Sequence, residues 1–271
     1  MQRIPLDLEM FCGRCWIAVS DGCEVFGTPY NSTMHSMETP IHYMGDAGSS
    51  VVSAPIKREL DILVWMSAAF CFVLAIAVAV LGMFGPNPRG IVIALRLTAR
   101  LSFLLFFTAY VGGAAFAIFG PKFSFLARHQ RQFGLSFASA HLVHIGLVLW
   151  LYAISHQRPI PDSSAIMFSI GTLCIYVLAL YSVDGVRKMM NPALWRIVRV
   201  IGLEYIAYLF FTDFIFPLFN GFHQPIAYLP FAILIVAGVS LRFAGWTLAR
   251  EWKSMALGFC IWGPALVQLL S

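Results

Sequence analysis

Residues 134–155 form one apolar stretch without a formal charge. An α-helix rises about 1.5 Å per residue, so a helix of this length crosses a hydrocarbon core of about 30 Å. The inside of a bilayer offers no water to backbone N–H and C=O groups, whereas a helix pairs these groups within its own segment. We therefore interpret the stretch as a membrane-spanning helix.

Other apolar stretches repeat this pattern, separated by short segments with Pro, Gly, Asn or charged residues. The last contains Gly263 and Pro264, which interrupt it, so the sequence predicts six or seven spans. With 59% hydrophobic and 11% charged residues, a soluble globule is excluded. The predicted fold class is an all-α integral membrane protein, a bundle of six to seven transmembrane helices. The predicted spans are 60–84, 91–119, 134–155, 165–183, 194–219, 226–248 and 255–270.

Basic residues cluster between the spans, which is typical of topology signals rather than of a nucleic-acid interface. Only Arg89 and Arg158 fall in the loops of one side. The positive-inside rule therefore predicts a multi-pass protein of the cell (inner) membrane with a cytoplasmic amino terminus, the lipid bilayer as a partner and no nucleic acid. The basic flanks on the cytoplasmic side contain Lys57, Arg58, Lys122, Arg128, Arg131, Arg187, Lys188, Arg196, Arg199, Arg242, Arg250 and Lys253.

Residues 1–56 lack helical and strand periodicity, so we expect a largely disordered cytoplasmic tail before a transmembrane domain over residues 57–271. The tail contains Cys12 and Cys15 in a Cys-x-x-Cys pattern, which can be a redox pair or half of a zinc site. Neither a βαβ unit nor a zinc-finger spacing accompanies the pattern, so we interpret it as incidental.

Two histidines, His141 and His144, lie three residues apart on one face of the third span. His144 is about 15 Å from the cytoplasmic end of this span, and His141 is about 5 Å shallower. Ionisable residues at such depth are costly and mark candidate functional sites. Imidazole is the usual axial ligand of membrane-bound haem, and the alternative is a neutral histidine bonded to a neighbouring helix.

Further charged residues also lie within the predicted spans. Arg96 and Arg100 share one helical face, and they either extend to the outer interface or hold a haem propionate or a lipid head group. Glu204 is expected to be a proton site or the partner of an inward arginine. Asp213 is expected either to bind protons or to form an ion pair with Arg96 or Arg100.

Short motifs in four spans point to one family. In the third span a basic turn leads into Phe133-Gly134-Leu135, then small residues and His144. This pattern resembles a helix of the ferric reductase-like transmembrane family. Within that family it is most similar to the haem-binding membrane subunits of bacterial methionine sulfoxide reductase systems. The resemblance covers about residues 60–220. The other similar segments are 98–106 in the second span, 179–182 in the fourth and 195–199 in the fifth.

The resemblance implies a b-type haem with His144 as an iron ligand and with His141, Arg96 and Arg100 as further haem-binding residues. Because two histidines of one helix cannot occupy opposite faces of one haem, a second helix has to supply the other ligand. His156 and His223 follow the two spans that carry ligands in the family, but they lie at exposed outer positions. These two histidines are weaker candidates for metal ligands.

The fifth span departs from the family pattern. Arg199 stands where the family has its first histidine, and Thr212 and Asp213 lie where a second one is expected. The sequence therefore predicts at most one haem, with a weak or non-histidine second ligand.

Three functions remain open at this point. The resemblance implies an oxidoreductase subunit that passes electrons through haem b from a cytoplasmic flavin-dependent reductase to an outer acceptor. A separate reductase is expected because no flavin or nicotinamide domain follows the spans in this sequence. The alternative is a haem-free, degenerate relative with a structural or partner-binding role, in which Arg199 and Asp213 are packing charges. A third possibility is a small transporter with Glu204 and Asp213 as proton sites.

The charge distribution generates a topology prediction. A reporter fused after Ser53 is expected to be cytoplasmic, and one inserted in the loop 222–227 is expected to be external. Paired alkaline phosphatase and fluorescent protein fusions at both positions measure this. The reverse pattern contradicts the positive-inside assignment.

Overall fold

The computed structural model describes residues 53–155, 162–183, 186, 189, 191–219 and 225–270, and every regular element in these ranges is helical. Six of the helices are long and apolar enough to cross a membrane. The chain is therefore a multi-pass helical membrane protein. Its long helices are α1 (Ser53–Phe84), α2 (Pro88–Phe119), α3 (Gln130–Ile154), α4 (Asp162–Tyr181), α5 (Pro192–Phe219), α6 (Leu229–Leu248) and α7 (Trp252–Leu270).

The helix boundaries lie close to the predicted spans, with two differences. Helix α1 begins at Ser53 and not near Leu60, so helix replaces the end of the expected tail 1–56. Helix α7 forms over 19 residues and continues past Gly263, but it is not among the six spans identified by length and composition. Cys12 and Cys15 lie outside the described residues.

Helix α2 begins and ends at residues suited to these positions. The Asn87 side chain accepts a hydrogen bond from the Gly90 N–H at 2.9 Å, and Pro88 occupies the first turn. An Asn cap satisfies one of the free N–H groups of a helix start, and proline has no N–H to leave free. At the other end Gly120 adopts a φ of 72°, where a side chain would be strained, and this turns the chain out of the helix.

Helices α2 and α3 connect the two apolar clusters of the bundle. One cluster joins them to residues of α4, α5, α6 and α7, including Ile175, Phe214, Ile235 and Trp262. The other joins them to the part of α1 around Val73. Helix α4, by contrast, leaves most of its apolar surface exposed, as expected for a helix that faces lipid.

The antiparallel register of α2 and α3 is set by side chains that contact the opposite helix. The Gln130 side-chain amide donates to the Ala109 carbonyl at 3.0 Å, close to where the two helices are joined. Gly112 lies so close to the connecting segment that an added Cβ would be 2.9 Å from the Leu126 carbonyl oxygen. Farther along, Thr98 Oγ1 contacts His144 Nδ1 at 3.1 Å.

Phenylalanine rings from three helices meet between α2, α3 and α5. The Phe103 ring lies 5.1 Å from that of Phe210 and 4.9 Å from that of Phe214. The Phe106 ring lies 5.4 Å from that of Phe137. We call these five side chains the aromatic layer. Edge and tilted contacts at these distances add to the stability gained from apolar packing.

The contact at Gly112 generates a stability prediction. Gly112→Ala places a methyl group against a backbone oxygen that cannot rotate away, so we expect a loss of about 1–3 kcal/mol of folding stability. Gly146→Ala in α3 is the matched control, because its Cβ would meet nothing within 4 Å. Thermal denaturation in detergent measures both variants. Equal melting temperatures contradict the predicted contact.

Candidate functional site

Glu204 lies at the centre of a polar cluster that is buried between four helices. Its side chain is 0% exposed and that of Arg242 is 3% exposed. Arg242 Nε donates a hydrogen bond to Glu204 Oε1 at 2.6 Å. The Tyr110 hydroxyl and the Trp262 Nε1–H donate to Oε2 at 2.7 and 3.0 Å. We call these four side chains, from α2, α5, α6 and α7, the Glu204 cluster.

The Glu204 cluster is a satisfied ion pair and not an open ligand site. Arg242 also donates to the Tyr110 carbonyl at 3.1 Å, and its guanidinium lies 4.7 Å from the Tyr110 ring centre. Burying a charge costs several kcal/mol unless a counter-ion and hydrogen bonds replace the lost water. Here both carboxylate oxygens accept hydrogen bonds. The cluster therefore acts as a neutral cross-link between helices.

The Glu204 cluster tests two predictions from the sequence, one about Arg242 and one about Glu204. Arg242 was expected in a cytoplasmic flank, which is wrong, because α6 carries it inside the bundle. The prediction of an inward arginine partner for Glu204 is correct, and that partner is Arg242. A count of charges near helix ends cannot distinguish a residue of a cytoplasmic flank from one inside the bundle, since Arg242 lies only about 9 Å from the end of α6.

His141 and His144 lie side by side on α3, with ring centres 5.2 Å apart and an angle of 18° between the rings. The Thr98 hydroxyl donates its proton to the Leu95 carbonyl at 3.1 Å. Its oxygen therefore accepts from the His144 Nδ1–H, and Nε2 of His144 is the nitrogen that keeps a lone pair. An imidazole held in this tautomer is oriented as metal-ligating histidines are.

His141 is less well satisfied than its neighbour. Its Nδ1 is buried and has no hydrogen-bond partner among the residues that the structure describes. A buried polar atom without a partner is costly, and native structures contain few of them. A bound group or an ordered water would satisfy this atom, whereas Nδ1 of His144 is already bonded.

Asp213 is the ionisable residue of α5 beyond the ring contact between α3 and α5. His141 lies one turn beyond Phe137, and Asp213 lies nearly one turn beyond Phe210, whose ring is 6.1 Å from that of Phe137. Because α3 and α5 run in the same direction, His141 and Asp213 lie on the same side of this ring contact. The Asp213 side chain is exposed.

Arg100 and Asp213 do not form the predicted ion pair among the residues that the structure describes. The guanidinium of Arg100 lies over two aromatic rings near the start of α6, 5.3 Å from the Tyr228 centre and 5.4 Å from that of Phe231. Cation–π contacts and distance from the carboxylate therefore replace the expected pair.

The structure does not place the remaining candidates beside the histidine pair. Arg96 is exposed on α2, which fits a side chain that reaches the membrane surface. His156 and His223 lie outside the described residues. Within those residues, no group of three side chains from His, Cys, Asp and Glu could hold a metal ion.

Helix α5 offers no second imidazole to the histidine pair. On the α5 side Asp213 and Phe214 lie beyond the ring contact, and the sequence of α5 contains no histidine. A second histidine ligand from α5 is therefore excluded.

Sequence reasoning missed Thr98, Tyr110 and Trp262 as polar partners. Each is common in apolar helices, where threonine usually bonds to its own backbone and aromatic residues pack. The only sequence signal was the presence of Glu204 and His144 within the spans, since each of them requires a donor or an acceptor from a neighbouring helix. Which helix supplies it depends on the register of helix pairs.

Comparisons with known proteins identify no relative. No family model matches the chain, and neither a curated protein nor a solved structure matches it.

The Glu204 cluster generates a prediction on stability. Arg242→Ala leaves the Glu204 carboxylate buried without its counter-ion, so we expect a loss of about 3–5 kcal/mol of folding stability. Arg196→Ala removes an exposed arginine from α5 and is the matched control, with an expected change of about 0.5 kcal/mol or less. Denaturation of the detergent-solubilised proteins measures both changes.

The double variant Arg242→Ala with Glu204→Ala tests whether the two residues act as a pair. We expect it to be more stable than the sum of the two single losses predicts, because no unpaired charge remains. Additive losses contradict the ion pair.

Proposed function

We propose that this chain is a membrane electron-transfer subunit that binds one b-type haem through His144. The observation that carries the proposal is the Thr98–His144 hydrogen bond, because it leaves Nε2 of His144 free to bind a metal. The unpartnered Nδ1 of His141 supports it, since a bound group beside the histidine pair would remove the cost of burying that atom without a partner. The resemblance of residues 60–220 to the ferric reductase-like family points in the same direction.

The chain's own residues have separate tasks in this proposal. Thr98 fixes the tautomer and the orientation of His144, and the aromatic layer lies on the side toward the Glu204 cluster. Arg100, near the start of α6, supplies a positive charge that would compensate the negative charge of propionates. When bound, haem supplies a one-electron carrier whose potential depends on its axial ligand and on surrounding charges.

The direction of electron transfer is part of the same proposal. The basic cytoplasmic side accepts electrons from a separate flavin-dependent reductase, and an acceptor on the outer side receives them. Charge complementarity between the basic side and an acidic reductase would speed their association.

A second candidate is a haem-free membrane protein with a structural or partner-binding role. The observation that favours it is the sequence of α5, which has Arg199 where the family has its first histidine and Thr212 and Asp213 where a second one is expected. In this candidate the two histidines are neutral, His144 is a structural link to α2, and an ordered water satisfies His141.

The absorption spectrum of the purified protein separates these candidates. After expression with added haem we expect a Soret band of mixed or high spin, because a second histidine ligand is lacking. His144→Ala is expected to abolish most of the band. Thr98→Val keeps the shape of the side chain but removes the acceptor for Nδ1, so we expect about 10–100-fold weaker haem binding.

Controls keep the result interpretable. His156→Ala and His223→Ala are expected to leave the band unchanged, and the melting temperature of each variant shows whether it is folded. A colourless protein after haem supplementation sinks the electron-transfer proposal and supports the haem-free candidate. A spectrum with two low-spin haems shows that α5 or the outer loops supply ligands.

A further inference from the structure

The segment 120–128 between α2 and α3 carries exposed aromatic and basic side chains together. It consists of a 3₁₀ turn, Gly120–Phe123, and a short helix, Ser124–Arg128. Phe125 is 52% exposed, and Phe119 just before the segment is 51% exposed. Lys122 and Arg128 are exposed as well. Two phenylalanines exposed at a turn would be costly in water.

The depth of this segment follows from its neighbours. The His129 ring lies 5.9 Å from the Trp65 ring of α1 and 4.3 Å from the Phe125 ring. Tryptophan and other amphipathic rings collect at the level of the lipid head groups, where an apolar face and a polar edge are both satisfied. The segment folds back against Gly112, so it stays close to this level and does not extend into the solvent.

The exposed positive charges of this segment indicate which kind of lipid can bind to it. Exposed cations collect at the end of the bundle that contains this segment, whereas Arg89 and Arg96 are the exposed cations described toward the opposite end. Uncharged head groups offer no counter-ion to these side chains, but the phosphate of an anionic lipid does. The exposed cations of this end are Lys122, Arg128, Arg196, Arg250 and Lys253.

We propose that segment 120–128 is a binding surface for the head groups of anionic phospholipids. Phe119 and Phe125 insert into the edge of the hydrocarbon region, and Lys122 and Arg128 contact the phosphates above it. The segment is arranged as an interfacial anchor, in which buried apolar side chains and attraction to anionic lipids both contribute to membrane binding. It stands independently of the proposed function, because no haem ligand lies in this segment.

The test uses the full chain in nanodiscs of two compositions. One contains phosphatidylcholine alone, and the other contains phosphatidylcholine and phosphatidylglycerol in equal amounts. We expect a higher melting temperature in the mixture, and phosphatidylglycerol should stay bound after transfer to detergent, as seen by native mass spectrometry. The retained lipid should decrease with added salt, because exposed charges are screened.

Substitutions in segment 120–128 test whether this segment causes the retention of phosphatidylglycerol. Lys122→Gln with Arg128→Gln is expected to weaken phosphatidylglycerol retention roughly fivefold for each charge removed. Arg89→Gln is the matched control, an exposed arginine at the opposite end, and it should retain the lipid as the unaltered protein does. Phe125→Ser tests the aromatic contribution without a change in charge and should also reduce retention.

Two results overturn the proposal. One is equal stability and equal lipid retention of the unaltered protein in both compositions. The other is an unchanged preference for phosphatidylglycerol in the Lys122 and Arg128 double variant, provided that its melting temperature shows it to be folded. After either result, a protein partner would be the remaining candidate for binding to segment 120–128.

Discussion

The Arg242–Glu204 ion pair is the interaction on which the arrangement of the bundle depends. In a bilayer the hydrophobic effect cannot hold helices together, because lipid tails are as apolar as the side chains they contact. Close packing and hydrogen bonds between helices have to replace it. The Glu204 carboxylate collects donors from α2, α6 and α7, so one side chain of α5 orients three neighbours. Gly245 of α6 permits this geometry, since it packs directly against Ala114 of α2.

The two polar regions of the bundle differ in how completely they are satisfied. In the Glu204 cluster each carboxylate oxygen has a donor, which is the condition for a buried charge to be tolerated. In the histidine pair, one Nδ1 is bonded and the other has no partner among the described residues. A scaffold tends to satisfy its polar groups internally, whereas a binding site leaves some of them for the ligand. This contrast, and not depth alone, separates the structural cluster from the candidate site.

The sequence could predict the helices but not the contacts between them. Each span has to be helical because of its length and apolar character, so its bounds follow within a few residues. The partners of intramembrane charges depend on the rotation of each helix, which hydropathy does not encode. Asp213 was therefore expected to pair with Arg96 or Arg100, but the Arg100 guanidinium lies over Tyr228 and Phe231. The sequence did not predict a role for Thr98, because a threonine in an apolar helix usually bonds to its own backbone, as Thr98 does to the Leu95 carbonyl. In the structure the same hydroxyl also contacts His144.

The aromatic layer lies between the two polar regions of the bundle. Tyr110 and Thr98 mark the two levels on α2, and twelve residues of helix separate them by about 18 Å. Phe103 and Phe106 occupy the interval, so no polar side chain of the layer connects the levels. The Glu204 cluster has no net charge, and the field of a close ion pair decreases faster with distance than that of a single charge. A change at the histidine pair should therefore leave intact the cross-link that holds the helices.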